Sequence, residues 1–261
     1  MIFLKLGGSL ITDKSRPETV RTDVLNRLAH EIADGMRADP NMQVLLGHGS
    51  GSFGHQAATR FGTHQGAASR EDWLGFAEVW RVANRLNRLV IDALHAAGLP
   101  AVSFPPSASG LAGAGELTDL ATEPIERALA AGILPVVAGD VAFDRQRGST
   151  IVSTERVFGY LAPHLRPARL LFAGVDAGVY ADFPANTRLY TVLTDAELAH
   201  ATVTGSAATD VTGGMADKVR QAMALVRLLP GLEVRIFSGE VPGMVFRALA
   251  GEPVGTLVRP T

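Results

Sequence analysis

Two glycine-rich turns are the segments of this 261-residue chain best suited to bind phosphate. The first is Gly7-Gly8-Ser9, and the second runs from Gly49 to Gly54. Each follows a short apolar run that predicts a buried strand. Glycine leaves backbone N–H groups uncovered and permits the positive φ angles that turn successive N–H groups toward one point. The sequence therefore predicts an anion-binding nest at each turn, and a helix beginning near Phe53 would add a partial positive charge to the second.

Three side chains near these turns are suited to act on phosphate. Lys5 ends the first strand, Lys14 follows the first turn, and His55 lies one residue beyond the last glycine of the second turn. A lysine suits the oxygens of a transferring phosphoryl group, and a histidine is a titratable donor. Phosphoryl transfer needs in-line positioning and charge neutralisation more than covalent chemistry from the protein. Two facing nests with lysines between them therefore predict phosphoryl transfer to a second phosphate compound.

The composition excludes several other kinds of chemistry. The net charge of −2 argues against a basic surface for nucleic acid, and the absence of cysteine excludes disulfides, thiolate metal sites and cysteine nucleophiles. The spacing of His, Asp and Glu predicts no metal site made by the protein alone. The first residues lack a signal-peptide pattern, and the apolar runs are too short to cross a membrane. We therefore expect a soluble, cytoplasmic protein with a small-molecule substrate.

Strands and helices alternate along the whole chain, which predicts a three-layer αβα sandwich on a mostly parallel sheet. The predicted helices cover 22–36, 70–97, 123–131, 155–165, 195–199, 215–229 and 245–250. The predicted strands cover 2–6, 44–46, 101–104, 134–137, 141–143, 150–152, 170–172, 233–237 and, as an edge strand, 257–258. The small, glycine-rich segment 107–118 is predicted to be a loop.

Ligands of parallel sheets bind beyond the carboxyl ends of the strands. Five glycine turns follow a strand or precede a helix, and they are expected to share that edge of the sheet: Gly7-Gly8, 49–54, Gly139, Gly174 and Gly213-Gly214. We expect one domain over residues 1–261, with an acceptor-binding half at about 1–165 and a nucleotide-binding half at about 166–261.

Other interpretations of the second turn remain open at this point. Residues 49–54 also fit the Gly-x-Gly-x-x-Gly fingerprint of dinucleotide-binding proteins, which needs an acidic residue about 20 positions later at a strand end. Glu71 and Asp72 lie near that distance, but they open a predicted helix. A plain glycine turn without a ligand is the second alternative. A Walker loop is excluded because no Gly-Lys-Ser/Thr follows at the required spacing.

Four segments together resemble the motif series of the amino acid kinase family: Lys5 to Ser9, Gly49 to His55, Gly139-Asp140 and Asp210 to Lys218. The resemblance runs from Met1 to about Leu257. Within the family, His55 and Lys14 resemble the isopentenyl phosphate kinases, while fosfomycin kinases share the histidine. The resemblance implies ATP-dependent phosphorylation of isopentenyl phosphate to isopentenyl diphosphate, with Mg²⁺ accompanying ATP and a homodimeric assembly. A kinase for another small phosphonate or phosphate, such as fosfomycin, is the alternative.

The resemblance also implies a role for each matching residue. His55 would hydrogen-bond the acceptor phosphate. Backbone or hydroxyl groups around that acceptor would come from Ser50, Gly54 and Gly139. Charge on the ATP phosphates and the transition state would be neutralised by Lys5, Lys14 and Lys218. The β- and γ-phosphates would be cradled by Gly7, Gly8, Ser9 and Gly51, and the nucleotide side would include Asp176, Gly178 and Gly214. The wall of the acceptor's hydrocarbon pocket would include Trp73, Phe76, Val79, Trp80 and Ala83.

The chain departs from the family pattern at three places. The family commonly has Ser-Gly-Asp-Asp where this chain has Ser153-Thr154-Glu155-Arg156, so an acidic group is either replaced by Glu155 or missing. The usual aspartates are also absent or shifted in the segment 173–178, and Ser50 stands where a third consecutive glycine is common. These changes leave open the alternative that the chain is a relative of this family that binds a nucleotide but catalyses no reaction. His48, just before the second turn, has either a structural role or a role in orienting that turn.

Overall fold

A computed structural model of the chain describes residues 1–182, 185–200 and 214–260, and for residues 55, 56, 199 and 200 it covers the backbone only. The helices are α1 (Gly8–Ile11), α2 (Thr22–Ala38), α3 (Gly51–Phe61), α4 (Arg70–Ala96), α5 (Pro106–Ser109), α6 (Glu123–Ala130), α7 (Thr154–Leu165), α8 (Asp195–His200), α9 (Gly214–Leu228) and α10 (Met244–Leu249). The strands are β1 (Ile2–Leu6), β2 (Val44–His48), β3 (Ala101–Ser103), β4 (Gly110–Gly113), β5 (Glu116–Leu120), β6 (Leu134–Ala138), β7 (Asp140–Asp144), β8 (Gly148–Val152), β9 (Arg169–Gly174), β10 (Val192–Leu193), β11 (Glu233–Ser238) and β12 (Thr256–Val258).

The main sheet has eight strands in the order β10-β12-β11-β9-β1-β2-β6-β3. All neighbours in this sheet are parallel except β11 and β12. One face packs on α1, α2, α4 and α10, and the other packs on α6, α7 and α9. This is the predicted three-layer αβα sandwich on a mostly parallel sheet.

Strand β1 shows how the two faces are filled. All five of its residues are buried, and Ile2, Leu4 and Leu6 join the core under α2 and α4. Phe3 points to the opposite face, where its ring lies 5.0 Å from that of Phe158 in α7. Because side chains alternate along a strand, Lys5 also faces α7. The pattern of the strand therefore decides which helix supplies the partner of this buried lysine.

The register brings the predicted glycine turns to one edge of the sheet. Leu6 at the end of β1 pairs with His48 of β2 on one side and with Ala173 of β9 on the other. His48 pairs in turn with Ala138 of β6. The turns that follow β1, β2, β6 and β9 consequently meet beyond the same strand ends, as predicted. The fifth turn is only partly described, because Gly213 lies outside the described residues.

The prediction of a loop over residues 107–118 was wrong. This segment contains α5, β4 and part of β5, and β4 joins a second sheet of four strands in the order β5-β4-β7-β8. The hairpin of β7 and β8 was predicted correctly. Strand β4 was missed because Gly110 and Gly113 have no side chain and Ala112 has only a methyl group, so the segment shows no clear apolar–polar alternation. Its strand state depends on pairing with β5 and β7.

Two strands at one side of the main sheet also differ from the sequence prediction. Strand β12 is not at the edge of the main sheet, because the two-residue strand β10 pairs outside it. Such a short strand carries no readable periodicity. Helix α4, by contrast, begins at Arg70 as predicted, and a capping box fixes its start: the Ser69 hydroxyl accepts a hydrogen bond from the Asp72 N–H, and the Asp72 carboxylate accepts one from the Ser69 N–H. The described helices include none with the length and apolar character needed to cross a membrane.

Candidate active site

The two predicted glycine turns touch each other through their backbones. A Cβ on Gly8 would lie 2.5 Å from the backbone nitrogen of Gly51, and a Cβ on Gly49 would lie 2.8 Å from that of Gly8. Neither contact leaves room for a side chain, because backbone atoms are the obstacle on both sides. The turns after β1 and β2 therefore form one continuous glycine-lined surface at the strand ends.

Thr12 joins the same two turns by hydrogen bonds. Its hydroxyl donates to the Gly8 carbonyl at 2.7 Å and accepts from the Ser52 N–H at 3.0 Å. Gly51 has a positive φ of 51°, and a Cβ there would also collide with the Thr12 hydroxyl. Sequence reasoning missed Thr12, although the residue lies two positions before Lys14. A small hydroxyl residue between a glycine turn and a lysine was the available signal.

Helix α3 begins at Gly51, directly after the second turn, with Ser50 as its N-cap residue. In the described part of the chain, no acceptor pairs with the N–H of Ser50 or of Gly51. The side chain of Ser50 lies over Gly54, where an added Cβ would be 2.7 Å from the Ser50 hydroxyl oxygen. Open N–H groups at a helix N-terminus suit an anion. His55 is the fifth residue of this helix, and its role in binding phosphate stays a prediction.

Lys5 forms a buried ion pair with Glu155. Ser153 caps α7 by accepting from the Arg156 N–H at 3.3 Å, which places Glu155 in the first turn of the helix and opposite β1. Burial would raise the pKa of the Glu155 carboxyl, but the charge and hydrogen bond of Lys5 and the charge of Lys218 hold that pKa below its usual value. The acidic group that the sequence left in doubt is thus present and in contact with Lys5.

The predicted lysines lie on three different segments. The side-chain nitrogen of Lys218, on α9, would lie 3.7 Å from a Cβ on Gly174 at the end of β9, and its charge acts on Glu155. Lys14 lies in the turn between α1 and α2. That turn is attached to the start of α3, because the Thr19 N–H donates to the Ser52 hydroxyl and the Glu18 N–H donates to the Ser52 carbonyl, each at 3.3 Å.

Gly139 lies between β6 and β7, beside the second turn. Its N–H donates to the His48 carbonyl at 3.2 Å, and the Thr154 hydroxyl donates to the same carbonyl at 2.6 Å. The carboxyl of the next residue, Asp140, accepts from the hydroxyl and the N–H of Ser107. Burial raises the pKa of Asp140, against the lowering effect of these hydrogen bonds. Asp140 thus anchors the segment before β4.

The predicted nucleotide residues lie at the ends of β9 and α9. Gly178 is buried, and a Cβ there would lie 2.4 Å from the Thr256 hydroxyl oxygen, so close packing on β12 explains the glycine. Asp176 is half-buried in the preceding bend. Gly214 begins α9 with a φ of 63°. The motif residues Asp210 to Gly213 lie outside the described residues. Roles for Asp176, Gly178 and Gly214 toward a nucleotide stay predictions.

A small apolar cluster lies beside α3. Phe76 and Val79 of α4 pack there with Ala58 of α3 and Val141 of β7. Trp73 lies at its rim and is 36% exposed, while Trp80 is 44% exposed. Ala83 is buried on the same helix. Of the five predicted wall residues, three are therefore buried and the two tryptophans face outward.

The described residues contain no group of three or more His, Cys, Asp or Glu side chains that could hold a metal ion. The buried carboxylate of Glu155 is neutralised by Lys5. This chemistry fits a Mg²⁺ ion that is held by phosphate oxygens and water, as Mg²⁺ commonly is at nucleotide sites.

Comparison with known proteins agrees with this arrangement. A sequence model of the amino acid kinase family matches residues 1–238. The isopentenyl phosphate kinase of Methanothermobacter thermautotrophicus is 37% identical over 97% of both chains. That of Methanocaldococcus jannaschii is 31% identical over 98% of this chain and 97% of its own. A crystallised isopentenyl phosphate kinase superposes with a TM-score of 0.81 at 32% identity, covering 99% of both chains. The product complex of the Thermoplasma acidophilum enzyme superposes with a TM-score of 0.79 at 26% identity, covering 99% of this chain and all of the other.

Proposed function

This chain belongs to the amino acid kinase family, and we propose that it transfers the γ-phosphoryl group of ATP to isopentenyl phosphate, forming isopentenyl diphosphate and ADP. The observation that carries the proposal is the backbone contact between the two glycine turns, with the paired Lys5 beside it. Such a surface can hold two phosphate groups close together and in line. The similar isopentenyl phosphate kinases supply the choice of acceptor.

The acceptor would lie at the second turn. Its phosphate would meet the open N–H group and the hydroxyl of Ser50 and the imidazole of His55, with Gly54 and Gly139 leaving room for it. Its hydrocarbon tail would lie against the apolar cluster that begins at Ala58, one helical turn beyond His55. An apolar wall at this place favours an isoprenoid over fosfomycin, which is small and polar.

The nucleotide would lie on the other side of the contact. Gly7, Gly8, Ser9 and Gly51 would cradle its β- and γ-phosphates, and Asp176, Gly178 and Gly214 would lie near the nucleoside. Lys5, Lys14 and Lys218 would neutralise charge as it develops. An oxygen of the acceptor phosphate forms a bond to the γ-phosphorus, while the bond from that phosphorus to the β–γ bridging oxygen breaks. The acceptor is already ionised, so this step requires no catalytic base.

The remaining proposals concern the setting of the reaction. Mg²⁺ would accompany ATP, held by its phosphate oxygens and water, and would withdraw charge from them. We also propose one domain with an acceptor half at about 1–165 and a nucleotide half at about 166–261, a homodimer, and a location in the cytoplasm. These rest on the family to which the chain belongs.

The first experiment is coupled ADP release with Mg-ATP and a panel of acceptors. The panel contains isopentenyl phosphate, dimethylallyl phosphate, geranyl phosphate, fosfomycin and a blank without acceptor. A preference for isopentenyl phosphate is expected. Turnover of fosfomycin alone would move the assignment to the alternative kinase, and ATP binding without turnover of any acceptor would contradict catalysis.

The role of His55 is tested by substitution. Losing a charged hydrogen bond to phosphate costs about 1.5–3 kcal/mol, so His55→Ala should lower kcat/KM for the acceptor by about one to two orders of magnitude. His55→Gln keeps a donor and should lose less. His64→Ala, at an exposed histidine in the turn after α3, serves as the matched control and should behave like the wild type. Unchanged kcat and KM in His55→Ala would remove His55 from the site.

A further inference from the structure

A chain of buried hydrogen bonds runs from the second glycine turn to the edge of the main sheet. The Nδ1 atom of His48 lies 3.2 Å from the Gly49 carbonyl oxygen, and its Nε2 atom lies 3.0 Å from the side-chain oxygen Oδ1 of Asn87 on α4. The NH₂ group of that amide donates to the hydroxyl of Ser103 on β3 at 2.7 Å. His48 is fully buried and Asn87 is 7% exposed. No step of the phosphoryl transfer described above uses these three side chains.

The charge state of His48 determines what this chain can do. Burial lowers the pKa of His48, and the charge of Lys5 acts in the same direction, so the ring is neutral near pH 7. A neutral imidazole has one N–H. With the Asn87 oxygen toward Nε2, an Nε2–H of His48 donates to Asn87 and leaves Nδ1 without a proton for the Gly49 carbonyl. An Nδ1–H donates to that carbonyl once the Asn87 amide is turned by 180°, so that its NH₂ group faces Nε2 and its oxygen faces the Ser103 hydroxyl. The two ends of an asparagine amide have the same shape, so the site accommodates this orientation.

The hydrogen bond from His48 to the Gly49 carbonyl also sets the direction of the next N–H group. The peptide bond between Gly49 and Ser50 is planar and trans, so its C=O and N–H point in opposite directions. An Nδ1–H of His48 that holds the Gly49 oxygen therefore aims the Ser50 N–H away from the buried ring. That N–H is one of the open donors at the start of α3. Glycine at position 49 has no side chain to restrict this peptide plane, so the hydrogen bond from His48 adds to the backbone bonds of Gly49 and Ser50 in setting its direction.

We propose that His48 is a positioning residue: supported by Asn87 and Ser103, it orients the Gly49–Ser50 peptide so that the Ser50 N–H meets the acceptor phosphate. The proposal rests on the proposed function for the identity of the ligand. The backbone carbonyl of the same residue receives the Gly139 N–H and the Thr154 hydroxyl. His48 thus links the acceptor side of the site to α4 through its ring and to α7 through its backbone.

The tautomer of His48 provides a test that needs no substrate. ¹⁵N NMR of the histidine-labelled protein at pH 7 should find His48 neutral with its proton on Nδ1. His95, which is exposed and bonds the Ala101 carbonyl through Nε2, is the internal reference for the opposite tautomer. A proton on Nε2 of His48 would overturn the proposal, because the Gly49 carbonyl would then have no donor from the ring. This result tests the positioning role of His48 whether or not isopentenyl phosphate is the acceptor.

Kinetics of two matched variants separate positioning from packing. In His48→Asn, the amide of the new side chain can take the position of Nδ1 and keep the contact with Gly49. In His48→Gln, the amide of the longer side chain reaches the position of Nε2 and keeps only the contact with Asn87. His48→Gln should raise KM for the acceptor about tenfold, with KM for ATP unchanged within about twofold. His48→Asn should restore most of the acceptor KM.

Three outcomes would contradict the positioning role. Equal effects of the two variants, equal changes in the KM values of acceptor and ATP, or a loss of thermal stability without any change in acceptor KM would each indicate packing alone. His95→Gln is the control and should leave both KM values unchanged. A wild-type protein that turns over no acceptor would contradict the proposed function, and the NMR result would still decide the role of His48.

Discussion

The two glycine turns are supported from their two sides by different chemistry. On the side of β1 and α7, the support is a buried ion pair between Lys5 and Glu155, with the charge of Lys218 close by. On the side of β2 and α4, it is the neutral chain of His48, Asn87 and Ser103. Both supports are buried, and both end within one or two residues of a glycine turn.

The difference follows from what each support must hold. Lysines that meet phosphate must keep their charge inside the protein, and an unpaired buried charge is costly, so a carboxylate lies beside them. A backbone peptide only needs a fixed direction, which a neutral hydrogen bond provides without burying a charge. The charged support should therefore be the more sensitive to single substitutions, and the neutral support the more sensitive to geometry.

The largest expected effect is on the charged support. Glu155→Leu leaves Lys5 buried without its partner, and should lower the free energy of unfolding by about 3–5 kcal/mol. The double variant Lys5→Met/Glu155→Leu should recover most of that loss, because an apolar pair needs no counter-charge. Both proteins should lose at least about 100-fold in kcat. Urea unfolding and ADP release measure the two effects.

An exposed ion pair provides the control for this prediction. Glu123 and Arg127 on α6 have side chains 70% and 78% exposed, so Glu123→Gln should change stability by less than about 1 kcal/mol. If Glu155→Leu cost no more than Glu123→Gln, the charged support would not be important for stability. If the double variant were no more stable than the single one, burial of an unpaired charge would not be the cause.

The second largest expected effect is on the backbone contact between the two glycine turns. Gly8→Ala places a Cβ against the backbone of Gly51, and overpacking of this kind costs about 1–3 kcal/mol. Separation of the turns should also lower kcat/KM for both substrates. Gly159→Ala in α7 is the matched control, because no atom lies within 4 Å of the added Cβ and alanine is favoured over glycine in a helix by about 0.5–1 kcal/mol. A Gly8→Ala protein as stable and active as the Gly159→Ala control would contradict the backbone contact.

The smallest effect is on the dependence of stability on pH. Below the ordinary His pKa of 6.5, the unfolded chain binds a proton at His48 that the folded protein does not, so the free energy of unfolding falls as the pH falls. Below the ordinary Glu pKa of 4.5, the same holds for Glu155. Each group contributes a slope of at most about 1.4 kcal/mol per pH unit.

Unfolding measured from pH 4 to pH 8 separates the two supports. His48→Gln should remove the decline that begins near pH 6.5 and keep the lower one. Glu155→Gln should keep the upper decline and make the lower one shallower, because other carboxyls with lowered pKa values, such as Asp13 and Asp144, still contribute to it. An unchanged upper decline in His48→Gln would mean that His48 is not the neutral buried group inferred from the structure.

The features that the sequence predicted correctly are those set by neighbouring residues. The alternation of apolar runs with helical periodicity indicated the parallel sandwich, and Ser69 with Asp72 marked the start of α4. The glycine turns were also recognisable, because their composition is itself the property that a close backbone approach requires. The small residues of β4 carried no such pattern, and the strand was therefore missed.

The sequence by itself determined the layered fold, the two glycine turns and the residues available for phosphate, since strand and helix periods and glycine content are local properties. Only the tertiary structure decided that Lys5 meets Glu155, 150 positions away, that Thr12 bridges the turns, and that His48 faces Asn87 and Gly49. These contacts depend on strand register and on which face of β1 and β2 each side chain occupies. The physical reason is that charge pairing and hydrogen bonding act over a few ångströms in space, and the folded sheet alone sets those distances.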